Sequence, residues 1–157
     1  MTLKITLATS TINNLDLSPI QKVIPQLLQD QGIMKWEQQL QFAIAYDLAP
    51  TDPRELSEVP EIRLWFIKLD AAYPWLPFFL DWKGGELARY VAMLVPHQFS
   101  RSEGIIYNPE ALEIFVMHKL FILSSWLKQQ NIPANFRLQS LAQLLGYEID
   151  ESFFEAL

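Results

Sequence analysis

The stretch EGIIYNPEALEIFVMHKLF, residues 103–121, decides how the chain is read. It brings Glu110, Glu113 and His118 close together, an acid–acid–imidazole grouping of the kind metal and proton-transfer sites use. The same letters also spell the start of a helix. Asn108 is a favourable N-cap, and Pro109 is pre-organised for the first helical position. Glu110 falls in the first turn, where the helix dipole favours negative charge. A carboxylate and an imidazole share a helix face at spacing three or four, as in the Glu-x-x-His of di-iron bundles and the His-Glu-x-x-His of zinc peptidases. Glu113 and His118 stand at i and i+5, about 140° apart around the axis, so they cannot hold one ion on this helix. The chain's other histidine is His97, and no metal site is expected.

From about Pro109 to Gln130 the helical wheel is apolar nearly all round. Leu112, Phe115, Val116, Leu120, Leu123, Trp126 and Leu127 form a wide arc, and Ile114, Phe121 and Ile122 spread over much of the rest. Glu110, Glu113, Ser124 and Lys128 make the one polar strip. Such a helix is central to its fold or covered by a partner. Lys119 falls on the Leu112–Val116–Leu123 face. The expectation is a stem laid along the core edge with the ammonium in water, the alternative a partly buried ammonium paired with a carboxylate. His118, beside Ile114, Ile122 and Ser125, is expected to be half-buried and structural.

Working outward, Leu3, Ile5 and Leu7 alternate in a short strand, as do Leu40, Phe42, Ile44 and Tyr46. LSPIQKVIPQLLQDQG, residues 17–32, reads as a helix with Ser18 as N-cap, Pro19 at its first position and Gly32 as its stop. Pro25 demands a kink or a restart. APTDPRELSEVP, residues 49–60, is a proline-punctuated acidic loop. Ile62, Trp65, Phe66, Leu69 and Tyr73 recur at helical spacing after Pro60. PWLPFFLDWKGG is an irregular packing element closed by Gly84 and Gly85, its aromatic residues chiefly core. ELARYVAMLVP, residues 86–96, is read as a strand, with an apolar run at 91–95 suited to a central position. FRLQSLAQLLG forms a helix stopped by Gly146, and DESFFEAL adds a last turn. The expected fold is α+β: one compact domain over residues 1–157, a small sheet of three to four strands packed by helices, and a helical C-terminal third.

Half of the residues are apolar and 13% aromatic, enough to build a core. Twelve basic against 18 acidic residues give a net charge of −6, ill suited to neutralising phosphate or anionic lipid. No nucleic-acid partner is expected. The absence of cysteine excludes disulfides, a thiol nucleophile and cysteine-ligated zinc or iron–sulfur centres. No apolar run reaches ~18 residues, so no stable membrane insertion is expected. The N-terminus MTLKITLATS lacks the apolar core of a secretory signal. No nucleophile elbow or phosphate-cradling glycine loop is present, and no cofactor is expected.

The remaining polar cluster is PHQFSRSEG, residues 96–104. It places His97, Gln98, Arg101 and Glu103 on the segment between the expected strand and the long helix, and polar groups beside a helix N-terminus make a reasonable binding site. Tyr107 and Glu113 complete the candidate partner-binding set. The plainer reading is a solvated loop, and no catalytic residue is assigned.

LARYVAMLVPHQFSRSEGIIYNPEALEIFVMHKLFIL, followed by WLKQQ, resembles the chlororespiratory reduction 6 family of cyanobacteria and chloroplasts. The likeness is densest from Leu87 to Gln130, with weaker support from PWLPFFLDW and the LLGY near the C-terminus; the N-terminal third adds little. The matching positions are Pro96, His97, Gln98, Phe99, Glu103, Gly104, Asn108, Pro109, Glu110 and Glu113, without assigned roles. The resemblance implies a non-catalytic assembly or maturation factor for the photosynthetic NAD(P)H dehydrogenase-like complex of cyclic electron transport. Its implied client is the iron–sulfur, ferredoxin-like subunit of the peripheral arm. It also implies a location in the cyanobacterial cytoplasm or the chloroplast stroma. The alternatives are a small enzyme using the 97–103 loop and a peripheral subunit of a thylakoid complex.

Overall fold

Alternation at Leu3, Ile5 and Leu7 yields β1 (Leu3–Ala8), and alternation at Leu40 and Phe42 yields β2 (Leu40–Ala45). The two pair in parallel, Leu3 against Leu40 through Ala8 against Ala45. Parallel pairing needs a crossover. Four short helices supply it: α1 (Thr9–Asn13), α2 (Ser18–Gln21), α3 (Ile24–Leu28) and α4 (Gly32–Trp36). The computed structural model describes residues 1–29 and 31–157, which form two compact units, Met1–Leu94 and Val95–Leu157.

The expected helix over 17–32 is therefore two separate turns. Pro25 sits in the first turn of α3, the restart its missing N–H demands. Ser18 is the first helical residue rather than the cap, and the Asp16 carboxylate accepts its amide at 2.9 Å and its hydroxyl at 3.0 Å. Gly32 starts α4 instead of closing a helix. Asp30, inside that expected helix, lies outside the described residues.

α5 (Pro60–Ala72) buries Ile62, Trp65, Phe66 and Leu69 at the predicted spacing. Phe42, Trp65, Phe66 and Tyr90 form a chain of edge-to-face rings with centroids 5.0–6.0 Å apart. Its polar ends are satisfied. Trp65 Nε1 donates to Asp16 O at 2.8 Å, and the Tyr90 hydroxyl donates to Asp70 Oδ1 at 2.7 Å. The irregular PWLPFFLDW segment docks beside β2, where Leu40 donates to Phe79 O at 2.8 Å and accepts from Asp81 N at 2.9 Å. Phe78, Phe79, Leu80 and Trp82 are core. Asp81 ties the following turn, accepting from Gly84 N at 2.9 Å and Gln41 Nε2 at 2.8 Å.

ELARYVAML is a helix, α6 (Glu86–Leu94), and not the expected strand. Leu87, Tyr90 and Val91 recur at three and four and are buried, Ala88 is exposed and Arg89 half-buried. The apolar run at 91–93 is a helix enclosed on more than one side, not a two-faced strand. The helix also serves the sheet. Arg89 Nη2 donates to Phe42 O at 2.7 Å and Glu86 Oε2 accepts from Phe42 N at 3.4 Å, so side chains cover part of the β2 edge.

In the second unit β3 (His97–Ser100) and β4 (Gly104–Tyr107) pair antiparallel. α7 (Pro109–Gln129), α8 (Asn135–Leu144) and α9 (Glu151–Glu155) follow. Asn108 Oδ1 accepts from Ala111 N at 3.0 Å, the cap the sequence indicates. Gly146 stops α8, and Tyr147 N closes back on Ala142 O at 2.9 Å. The fold is α+β, with four strands in two separate pairs packed by helices and a helical C-terminal end.

Candidate functional site

Residues 97–107 form a β-hairpin rather than a loop. His97 pairs with Tyr107, Gln98 with Ile106, Phe99 with Ile105 and Ser100 with Gly104. The turn is fixed locally. Ser100 Oγ lies 3.1 Å from Ser102 Oγ and accepts from Glu103 N at 3.3 Å. Gly104 takes φ +76, a left-handed conformation that a glycine adopts without steric cost. The signal was a polar SRSE run ending in glycine between apolar pairs, a three-residue hairpin connection. It went unread because the segment before it was taken as the strand.

The hairpin divides the candidate residues. His97, Gln98 and Tyr107 come together and line a recess of about 360 Å³ with Pro96, Ile106 and Asn108. Arg101 and Glu103 sit exposed at the tip, and Glu113 is exposed on α7. The His97 ring packs edge-on against Tyr107, centroids 6.1 Å apart. Its Nδ1 lies 3.0 Å from Val95 O; a carbonyl only accepts, so Nδ1–H is the donor. Burial pushes the Tyr107 hydroxyl up to about 12, so it is a neutral phenol at physiological pH. Phe99 and Ile106, each 43% exposed, lie on opposite faces of the hairpin, Phe99 with Ile105 and Ile106 with Gln98.

α7 carries three corrections. Lys119 is 1% exposed rather than snorkelled, with Nζ 5.7 Å from the Phe115 ring centroid. Its four-carbon stem is on the fully buried face with Val116, Leu120 and Leu123, too deep for the ammonium to reach bulk water. His118 is exposed, not half-buried, because the buried arc is narrower than the apolar letters suggest. Ser124, placed in the polar strip, is 4% exposed next to Leu123. The predicted arc from Val116 to Leu127 is buried, while Ile114 and Phe121 face out at 71% and 52% exposure. Among the described residues no cluster of three or more His, Asp or Glu is arranged to hold a metal ion.

A family model for chlororespiratory reduction 6 matches residues 7–156 of the 157. The chain belongs to the chlororespiratory reduction 6 family. The match runs through the N-terminal third, where the sequence resemblance is thinnest. Chlororespiratory reduction 6 is an assembly-factor family rather than a catalytic one. Membership points to a role, through protein–protein interaction, in assembly of the NAD(P)H dehydrogenase-like complex. Among the described residues no helix is long and apolar enough to cross a membrane. No solved structure matches the chain.

Proposed function

We propose that this chain is a non-catalytic maturation factor that binds the iron–sulfur, ferredoxin-like subunit of the dehydrogenase-like complex before the complex is complete. The observation that carries the reading is the family match over residues 7–156. The binding set is His97, Gln98, Arg101, Glu103, Tyr107 and Glu113, displayed by the β3–β4 hairpin and the start of α7. A hairpin that exposes Phe99 and Ile106 beside polar groups at its tip and base offers the mixture of apolar and polar contacts that protein recognition uses. Without cysteine the chain cannot take the cluster on its own thiolates, so the cluster stays with the client. The site of action is the cyanobacterial cytoplasm or the chloroplast stroma.

The enzyme alternative requires an imidazole beside a carboxylate. The lining of the His97 recess contains neither a carboxylate nor a second imidazole. The alternative as a peripheral subunit is separated by purification: a subunit stays with the finished complex in stoichiometric amount, and a factor does not. The direct test is capture of the iron–sulfur subunit from cells by the tagged chain and by H97A, R101A and E103A. Weaker capture by these variants is expected, with unchanged melting for the exposed Arg101 and Glu103. Undiminished capture by all three would move the site off the hairpin.

A further inference from the structure

The outward face of α7 is unexplained by the fold. Ile114, Met117 and Phe121 lie at i, i+3 and i+7, one stripe about 10 Å long. Ile114 and Phe121 are 71% and 52% exposed, although the opposite face already fills the core with Val116, Leu120, Leu123 and Leu127. The Phe153 ring of α9 stands 6.0 Å from that of Phe121 and widens the stripe. Its N-terminal end is acidic. Glu110 and Glu113 are exposed at that end. The cation at the far end, Lys128, already donates to the terminal Leu157 O.

We propose that this stripe docks a basic amphipathic segment of the client, with apolar side chains at helical spacing set on Ile114, Phe121 and Phe153 and Lys or Arg facing the carboxylates. This rests on the reading of the chain as a protein-binding assembly factor, and it extends the binding surface from Glu113 along the outer face of α7. Charge complementarity selects the occupant. A second copy brings another net −6 and no basic segment to meet Glu110 and Glu113, whereas a basic segment is attracted to them and aligned. An apolar centre with a charged rim is also the usual anatomy of a helix laid on an apolar surface.

The test uses the full chain and three forms: wild type, I114D/F121D, and E110K/E113K. All four positions are exposed, so both variants are expected to fold, each melting slightly lower: E110K/E113K loses the first-turn carboxylate that suits the helix dipole, and I114D/F121D loses the Phe121–Phe153 ring contact. The probes are the isolated iron–sulfur subunit and labelled overlapping peptides from that subunit and the other peripheral-arm subunits, followed by fluorescence anisotropy at low and high salt. Basic amphipathic peptides from the client should bind wild type, weaken with salt, and lose about tenfold or more in affinity with either variant. If the intact subunit and its peptides bind I114D/F121D as tightly as wild type, the stripe is not the surface, and the client reading survives. If basic peptides from a different subunit bind wild type but not I114D/F121D, the stripe stands and the identity of the client falls. Binding of acidic or uncharged peptides in preference to basic ones overturns the proposal. So does a wild-type dimer that I114D/F121D dissolves, since a second copy would then be the occupant.

Discussion

Replacing Tyr90 by Phe removes one hydroxyl from the first unit's core and little else. Tyr90 is 2% exposed, its ring meets Phe66 edge-on at 5.9 Å, and its hydroxyl donates to Asp70 Oδ1 at 2.7 Å. The ring contacts survive the change; the bond to a carboxylate does not. A hydrogen bond to a charged group contributes about 1.5–3 kcal/mol. Asp70 is half-buried, so water can replace part of the lost donor, and the lower end, about 1.5 kcal/mol, is expected. For a chain of this length that is a fall of roughly 3–6 °C in Tm. Burial, reinforced by the Asp70 charge and the hydrogen bond to it, raises the Tyr90 hydroxyl well above its ordinary 10. The folded state therefore holds that proton more tightly than the unfolded chain. The stabilisation is complete below pH 10 and declines as pH rises from there toward the folded value. Phenylalanine has no such decline. Urea unfolding of wild type and Y90F, followed by tryptophan fluorescence, should show a gap at neutral pH that narrows above pH 10. A neutral-pH midpoint equal to wild type, or a gap constant into the alkaline range, would refute the assignment.

Leu123→Ala truncates a side chain 1% exposed on the inner face of α7, and a loss of about 2–5 kcal/mol in chemical denaturation is expected. Gly104→Ala meets no atom within 4 Å of the added Cβ, so its cost is the φ of +76 alone, about 1–2 kcal/mol, read as faster amide exchange in β3 and β4. Asp150 caps α9 by accepting from Ser152 N at 2.9 Å, and hydrogen bonds from the Ser152 amide and hydroxyl hold its carboxyl below 3.8. Its contribution is present above pH 3.8 and lost as pH falls through the folded value. NMR titration of D150N should show the acid-side change at Ser152 and Phe153 abolished.

Much of the fold was legible because its signals are local. The caps at Asn108 and Pro109, the stop at Gly146 and the restart at Pro25 each follow from one residue's backbone chemistry. Residues 86–94 were misread because Leu87, Arg89, Val91, Met93 and Val95 satisfy a two-residue period while Leu87, Tyr90, Val91 and Leu94 satisfy a helical one. Tertiary context settles such short apolar runs: Arg89 and Glu86 reach the β2 edge from a helix, and no strand pairs with the segment. That error concealed the hairpin, because a strand ending at 95 leaves 97–103 to be a loop. The candidate site was legible as a list of polar residues and not as a geometry. Its cross-strand pairs, His97 with Tyr107 and Gln98 with Ile106, exist only once the turn is known.

The excess apolarity of α7 poses a single physical question with two answers. Its wheel carries more large side chains than one buried face can absorb. The structure divides them, Val116, Leu120, Leu123 and Leu127 inward and Ile114 and Phe121 outward. The inward set accounts for stability. The outward set contributes little to folding, because exposed side chains remain in water in both states. The acid–imidazole grouping that first suggested chemistry divides along the same line. Glu110 serves the helix dipole at the N-terminus, while Glu113 and His118 lie exposed on either side of the outward stripe. Inner substitutions therefore change melting most, and outer ones chiefly change what the helix can hold. A substitution such as Ile114→Asp that leaves the melt intact while lowering capture of a partner is the behaviour an interface requires and a spare hydrophobic residue does not show.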